Sequence, residues 1–374
     1  MAREITYILS TPLEDVAKTG GAIYTKNVIY YLASKGMSID IVTLQDFSRC
    51  SRRNYFWANV AFIKLLLAQK RAKKLIIEDF YMHPWLFIFN WICRLFKNKR
   101  IIIFVQLLYY FQQKNKLLNY MDKLVSKMCL LSAHMVIVNS KTTAGELQSI
   151  GINAKKIRVI YPGCDFLEGN HIEIKASRDK KNSNNRFHVL AISNYEYRKG
   201  LHDLVEAASI MKRTNPIQFE KMVINIVGNP EVETAYTEEL YRSIAQNNLR
   251  ERVFLLGWKS REELRSLYSD SDLFVFPSTN EGFGMVLAEA MFYGLPIIAA
   301  NAGASPELIE DGYNGILVTP KDPAEIAGAI MKLILDIQLR NFMGINSLKK
   351  SNEVVHSWDE VCHKFHQVLL EVAQ

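Results

Sequence analysis

Short apolar blocks separated by stretches of helical spacing set the rhythm of this chain. Ile5 to Leu9, Ile39 to Thr43, Lys74 to Ile77, Ile101 to Val105 and Met135 to Val138 have strand length, and the stretch from about Tyr24 to Lys35 has a helical pattern. Runs that are apolar on both faces suit strands covered on both sides, and their alternation with helices predicts a parallel sheet. After a break the rhythm returns, with His188 to Ser193, Met222 to Val227, Val253 to Leu256, Leu273 to Pro277 and Pro296 to Ala300. No fixed period is visible, so these are two similar architectures and not a solenoid.

The break itself, Asp165 to Arg186, is polar and irregular and ends Asp-Lys-Lys-Asn-Ser-Asn-Asn-Arg, which reads as a linker. The expected division is an N-terminal domain over 1–165, a linker over 166–186, a C-terminal domain over 187–352 and a last segment, 353–374, carrying a helix from about Ser357 to Val372. A length of 374 residues with 49% apolar content supplies two cores.

The first ten residues lack the apolar core of a signal peptide and read as a buried strand. Phe80 to Phe96 is the one membrane-like run, but Pro84 and Arg94 interrupt it and it falls short of the roughly 20 residues a span requires. Pro84 to Phe96 is expected as a helix with Pro near its first turn; a buried core helix and a helix with a membrane-touching face both fit. The five cysteines, Cys50, Cys93, Cys129, Cys164 and Cys362, are widely spaced and in no metal pattern, as a reducing cytosol would allow.

Candidate chemistry concentrates between Glu281 and Ala300. Met285 to Tyr293 are mostly helix formers, Gly294 suits a left-handed position just past a helix, and Pro296 bars continuation. The helix therefore starts near Gly284. Its first amides, from about Phe283 to Met285, have no intrahelical acceptor and sit at the positive end of the helix dipole, which suits a diphosphate. Gly282 and Gly284 remove side chains that would block close approach. Glu289 falls one turn after Met285 on the same face, where a carboxylate can accept from two adjacent ribose hydroxyls. Glu281 precedes the turn and would face a sugar beyond the phosphates. The competing reading makes Glu281 a solvated loop acid and Glu289 a surface helix residue. Against it, Asp272-Leu-Phe-Val-Phe-Pro-Ser278 reads as a buried strand that delivers Glu281 to a carboxyl edge, where α/β sheets bind ligands.

With these residues the chain resembles the retaining glycosyltransferases of family four. Two glutamates separated by seven residues, Glu281 and Glu289, stand in the family's Pro-Ser-x-x-Glu-Gly-x-Gly setting, Pro277 to Gly284, and the likeness is strongest from Val253 to Ala327. The resemblance implies the GT-B fold, an α/β architecture of two Rossmann-like domains facing across a cleft, with the last helix crossing back to the N-terminal domain. It also implies a nucleotide-sugar donor held mostly by the C-terminal domain, an acceptor held mostly by the N-terminal domain, and neither cofactor nor catalytic metal. Two more sites follow from position. Gly20-Gly21 opens a helix after the first strand and would turn its backbone to the diphosphate; a plain turn is the alternative. Arg198-Lys199-Gly200 follows the strand His188 to Ser193, and Lys199 would stabilise the leaving group as a point charge.

The chain also departs from that family. Ser193 stands six positions before Lys199, where an arginine is usual, and Arg198 is the replacement within reach. Gln106, in Val105-Gln106-Leu107, occupies a position often held by histidine; its amide can orient a sugar hydroxyl but carries no proton near neutral pH. Either Gln106 only orients, or activity is altered or lost. Asp270-Ser271-Asp272 matches an Asp-x-Asp metal motif but leads directly into a buried strand, which favours a structural role. His363 and His366 have no evident third ligand and read as solvated.

Charge is shared unevenly. Residues 1–165 carry 24 Lys and Arg against 10 Asp and Glu, a net +14, and the remainder carries 22 against 28, a net −6. Basic clusters at Arg49 to Arg53, Lys70 to Lys74, Arg94 to Arg100 and Lys114 to Lys127 lie among Trp57, Trp85, Trp91, Tyr109, Tyr110 and Phe111. Cations interleaved with aromatics suit anionic headgroups or lipid-linked phosphates, and a merely solvated basic face competes with that reading. No nucleic-acid recognition motif accompanies the charge. The expected activity is transfer of a sugar from a UDP- or GDP-linked donor to a lipid-linked or saccharide acceptor, in cell-envelope polysaccharide or glycolipid synthesis. The expected place is the cytoplasm, peripherally on the inner membrane face. The alternative is a non-catalytic sugar-nucleotide-binding or membrane-anchoring scaffold subunit.

Overall fold

The computed structural model describes residues 4–9, 20–43, 75–79, 83–95, 99–108, 116–164 and 186–373. The chain divides into two compact units, Met1–Pro162 with Trp358–Gln374, and Gly163–Ser357. Most of the sequence-predicted linker, residues 165–185, and the basic clusters at 49–53 and 70–74 lie outside the described residues.

The first unit runs β1 (Glu4–Leu9), α1 (Gly20–Ser34), β2 (Ser38–Thr43), β3 (Leu75–Asp79), α2 (His83–Leu95), β4 (Arg100–Val105), α3 (Lys116–Ser132), β5 (Met135–Val138), α4 (Lys141–Ser149) and β6 (Ile157–Val159). Its six strands form one parallel sheet in the order β2-β1-β3-β4-β5-β6. Alternate residues feed two cores. Ile76, Ile101 and Ile103 face Leu86 and Phe89 of α2 and Leu130 of α3, whereas Tyr7, Ile77 and Phe104 face Tyr24 of α1. That division explains the near-continuous apolar runs.

The second unit runs β7 (Phe187–Ile192), α5 (Leu201–Thr214), α6 (Pro216–Glu220), β8 (Met222–Val227), α7 (Thr234–Gln246), β9 (Val253–Gly257), α8 (Arg261–Asp270), β10 (Leu273–Phe276), α9 (Met285–Phe292), β11 (Ile297–Ala300), α10 (Ser305–Leu308), β12 (Gly315–Val318), α11 (Pro323–Leu335) and α12 (Ile337–Val354). Its parallel sheet has the order β12-β11-β10-β7-β8-β9. The strand sequence therefore reverses between β7 and β10, and ligands of open α/β sheets bind outside the carboxyl ends of strands at such a switch point. The last helix, α13 (Trp358–Ala373), belongs to the first unit, where Val361, Phe365 and Leu369 join the core that holds Tyr24 and Phe104.

Two strands escaped the sequence reading. β6 and β12 are edge strands of three and four residues that are only partly buried, so neither carries a long apolar run. The expected end of α9 is present in full. Gly294 has φ +64, its amide bonds to the Met291 carbonyl (2.8 Å), and the Leu295 amide reaches back to the Ala290 carbonyl (3.0 Å). Within α2, Leu86, Phe89 and Cys93 are buried, as a core helix requires, whereas Trp91 and Leu95 are exposed. Among the described residues, no helix is long and apolar enough to cross a membrane.

Candidate functional site

At the switch point the loop after β7 meets the loop after β10. The first loop makes a single turn, Tyr197–Lys199, and leaves through Gly200 at φ +67. A Cβ at Gly200 would stand 2.3 Å from the Pro277 carbonyl oxygen, so glycine answers both the left-handed backbone and the close approach. The Arg198 carbonyl then accepts from the Thr279 amide (2.9 Å) and the Thr279 hydroxyl (3.0 Å). Arg198 itself holds Glu196 Oε2 through Nε (2.7 Å) and donates from Nη1 to the Asn280 carbonyl (3.1 Å). Its guanidinium is thus engaged in fastening one loop to the other.

This stitching brings Lys199 Nζ within 2.6 Å of Glu281 Oε2, with side chains only 12% and 17% exposed. The ammonium also lies over the Phe276 ring at 5.5 Å. A third loop, after β11, supports Glu281 from behind. Ala304 donates its amide to the Glu281 carbonyl (2.9 Å), and a Cβ at Gly303, where φ is +54, would fall 2.4 Å from that same oxygen. Gly282 and Phe283 follow, both buried, and Gly284 at φ +91 caps α9, whose first helical residue is Met285. Lys199, Glu281 and the start of α9 therefore lie at one sheet edge.

Glu289 lies one turn into α9 and accepts from the Tyr268 hydroxyl at 2.7 Å. Tyr268, on α8, is fully buried and stacked on Tyr293 at 5.0 Å. Burial, and secondly the nearby Glu289 charge, holds its phenol well above the usual range, so it stays a donor. Sequence reasoning missed Tyr268 because nothing local distinguishes it from other apolar positions of α8. The Asp-x-Asp pair is occupied by backbone and hydroxyl groups: Asp272 Oδ2 accepts from the His188 amide (2.8 Å), tying β10 to β7, and Asp270 accepts from Ser266 (3.1 Å). Among the described residues no group of three or more His, Cys, Asp or Glu is placed to hold a metal ion. His363 contacts Tyr31 (3.3 Å) and Gln367 (3.0 Å).

Gly20, Gly21 and Gln106 belong to the first unit. Gly20 and Gly21 are the first residues of α1, and a Cβ at Gly21 would meet Gln106 Oε1 at 2.2 Å. The amide of Gln106 is buried, and its Nε2 donates to Thr25 Oγ1 (3.1 Å), while Oε1 has no hydrogen-bond partner among the described residues. Packing of Gln106 thus gives Gly21 a structural reason to be glycine, besides any role toward a diphosphate. At Ser193 the constraint is mutual closeness of backbones, since a Cβ on Gly228 would lie 1.7 Å from the Ser193 carbonyl oxygen.

Comparison with known proteins agrees with this geometry. A model of the family described as "Glycosyl transferases group 1" matches residues 173–350, and one described as "Glycosyltransferase Family 4" matches residues 18–166. An uncharacterized glycosyltransferase of Methanocaldococcus jannaschii is 31% identical over 236 residues, which cover 60% of this chain and 57% of that protein. The chain spans 54% to 58% of the length of the first curated relatives it matches. Among solved structures, Anabaena HepE, crystallised with UDP, is 21% identical with a TM-score of 0.73, covering 98% of this chain and 99% of that one. Sucrose-phosphate synthase from Thermosynechococcus elongatus is 22% identical with a TM-score of 0.77, covering 99% and 98%. At that identity the two structures establish the fold, which is GT-B.

Proposed function

This chain belongs to the group 1 glycosyltransferases of family four, and we propose that it transfers a hexose from a UDP- or GDP-linked sugar to a lipid-linked or saccharide acceptor. In this reading the transfer retains configuration, needs no divalent metal and takes place at the cytoplasmic face of a membrane, in envelope polysaccharide or glycolipid synthesis. The observation that carries it is the Lys199–Glu281 pair at the β7/β10 switch point, beside the N-terminal end of α9. Lys199 Nζ and the first amides of α9 supply positive charge for a leaving diphosphate, the task a divalent cation performs elsewhere. Glu281 takes hydroxyls of the transferred sugar, and Glu289 those of the ribose. Gly20, Gly21 and Arg198 belong to the donor-binding set around the diphosphate, and Gln106 orients a hydroxyl of the donor sugar. Catalysis of this kind is positioning and charge stabilisation: the departing diphosphate remains on the face the acceptor approaches and receives its proton.

A thermal-shift panel of nucleoside diphosphate sugars tests the donor class, beginning with UDP-glucose, which was crystallised with the Anabaena neighbour. A ligand at 100 times its dissociation constant adds about 2.7 kcal/mol of stability, a shift of several degrees. Sugar transfer should then persist in excess chelator. No shift with any member of the panel would remove the donor assignment, and strict dependence on manganese or magnesium would remove the metal-free one. Binding without turnover would leave the non-catalytic scaffold reading in place.

The Glu289 assignment makes Tyr268 a positioning residue. Tyr268→Phe keeps the stack on Tyr293 and removes only the hydroxyl that donates to Glu289. The dissociation constant for the bare nucleoside diphosphate should rise roughly tenfold to a hundredfold, the scale of one hydrogen bond to a charged group. An unchanged constant, measured by titration calorimetry, would show that Tyr268 is only a packing residue.

A further inference from the structure

Two helices of the first unit turn an apolar face outward. α2 and α3 lie side by side: the Trp91 indole donates to the Met128 carbonyl (3.2 Å), and Arg94 Nη1 donates to the Leu131 carbonyl (2.9 Å). Their inner faces, Leu86, Phe89, Cys129 and Leu130 among them, fill the core against the sheet. A surface helix ordinarily shows polar residues on its other side. Here Trp91 and Leu95 stand one turn apart on the outer side of α2, and Tyr120, Leu124 and Met128 stand one turn apart on that of α3. Leu95 is 82% exposed and Tyr120 66%, values that exclude a core role for either. Trp91 meets Met128, so the two stripes join.

Cations accompany the stripe. Arg94 lies over the Trp91 ring at 5.6 Å, and Lys123 and Lys127 directly precede Leu124 and Met128 on α3. The two helices together hold Arg94, Lys116, Lys123 and Lys127 against a single acid, Asp122, within a segment, residues 1–165, of net charge +14. Protein interfaces deplete lysine at their centres, whereas lysine and arginine rimming exposed leucine, tryptophan and tyrosine is the composition of a helix lying in a bilayer interface. Neither helix is long and apolar enough to span, so the fitting orientation is in the plane of the headgroups.

We propose that the outer face of α2 and α3 docks on an anionic lipid bilayer, with Trp91, Leu95, Tyr120, Leu124 and Met128 entering the headgroup boundary and Arg94, Lys123 and Lys127 on lipid phosphates. The proposal rests on the membrane-facing part of the function given above and names the surface responsible.

The test is sedimentation of the full chain with phosphatidylcholine vesicles, with and without phosphatidylglycerol. Binding should require the anionic lipid and decline as salt rises, since screening shortens the reach of these charges to about 8 Å at physiological ionic strength. Lys123→Glu with Lys127→Glu should weaken it at least about tenfold, as should Leu95→Gln with Leu124→Gln. Leu95, Lys123 and Leu124 are exposed and Lys127 is partly exposed, so the thermal shift given by UDP-glucose, a readout of the second unit, should stay as in the parent protein. If both double variants bind vesicles like the parent, the membrane reading stands and this face is the wrong surface. Should the parent ignore vesicles of either composition, the surface and the membrane reading fall together. A parent that is dimeric in solution, with the leucine variant monomeric, would make the face a contact between copies and overturn the proposal.

Discussion

Glu281→Ala should abolish most sugar transfer, by about 10²- to 10³-fold, without any loss of affinity for the bare nucleoside diphosphate. The reason lies in the 2.6 Å contact between Glu281 and Lys199. A carboxylate assigned to the sugar contributes nothing when the sugar is absent. Its removal also leaves the Lys199 ammonium unneutralised, which favours a diphosphate. Glu289→Ala should behave in the opposite sense, raising the dissociation constant of the nucleoside diphosphate by roughly 10- to 100-fold through loss of charged hydrogen bonds to ribose. Lys199→Ala should damage both properties, because it deletes the cation and leaves Glu281, only 17% exposed, without its ion-pair partner. Calorimetric titration with UDP, set beside kcat/KM for the donor, separates the three variants. Equal loss of UDP affinity in the Glu281 and Glu289 variants would contradict the assigned roles.

What was legible before the structure followed from local rules. Glu281 and Lys199 each stand in the loop that follows an apolar run, and Gly294 and Pro296 mark the end of α9, so the positions of these groups along the chain were readable. That Lys199 and Glu281 touch was not readable, because the contact spans 82 residues and depends on β7 and β10 being neighbours in the sheet. Sequence separation likewise hid Tyr268, which lies 21 residues before Glu289, and Gly303 behind Glu281. Gly21 is instructive for another reason. Its position suggested a phosphate-facing backbone, yet its contact with Gln106 supplies an independent demand for glycine that arises only when β4 and α1 pack together. Arg198 stands near the expected arginine, and no local pattern announced that its nitrogens reach Glu196 and the Asn280 carbonyl.

The pH dependence of stability should carry the signature of one buried acid, Glu78. It ends up inside because β3 places Glu78 and Asp79 on opposite faces, and Glu78 falls on the face packed by α2 and α3. The side chain is 1% exposed, Asn90 Nδ2 donates to Oε2 at 2.8 Å, and Oε1 has no hydrogen-bond partner among the described residues. Burial raises its pKa from 4.5 to about 8, with the Asn90 hydrogen bond opposing the shift. For an acid raised in the folded state, the folded protein holds the proton more tightly than the unfolded one between those two values. Stability from this group is complete below about pH 4.5, declines as pH rises, and is fully lost above about pH 8. The deficit amounts to about 3 kcal/mol at pH 7 and about 5 kcal/mol above pH 8. Glu78→Gln keeps the shape and an oxygen for Asn90 but cannot ionise. Its stability relative to the parent should be near zero at pH 4.5 and should grow steadily to several kcal/mol in favour of the variant at pH 9. Urea unfolding of the full chain at a series of pH values, followed through the transition of the first unit, measures that difference. A difference independent of pH would mean that Glu78 ionises as an ordinary carboxylate.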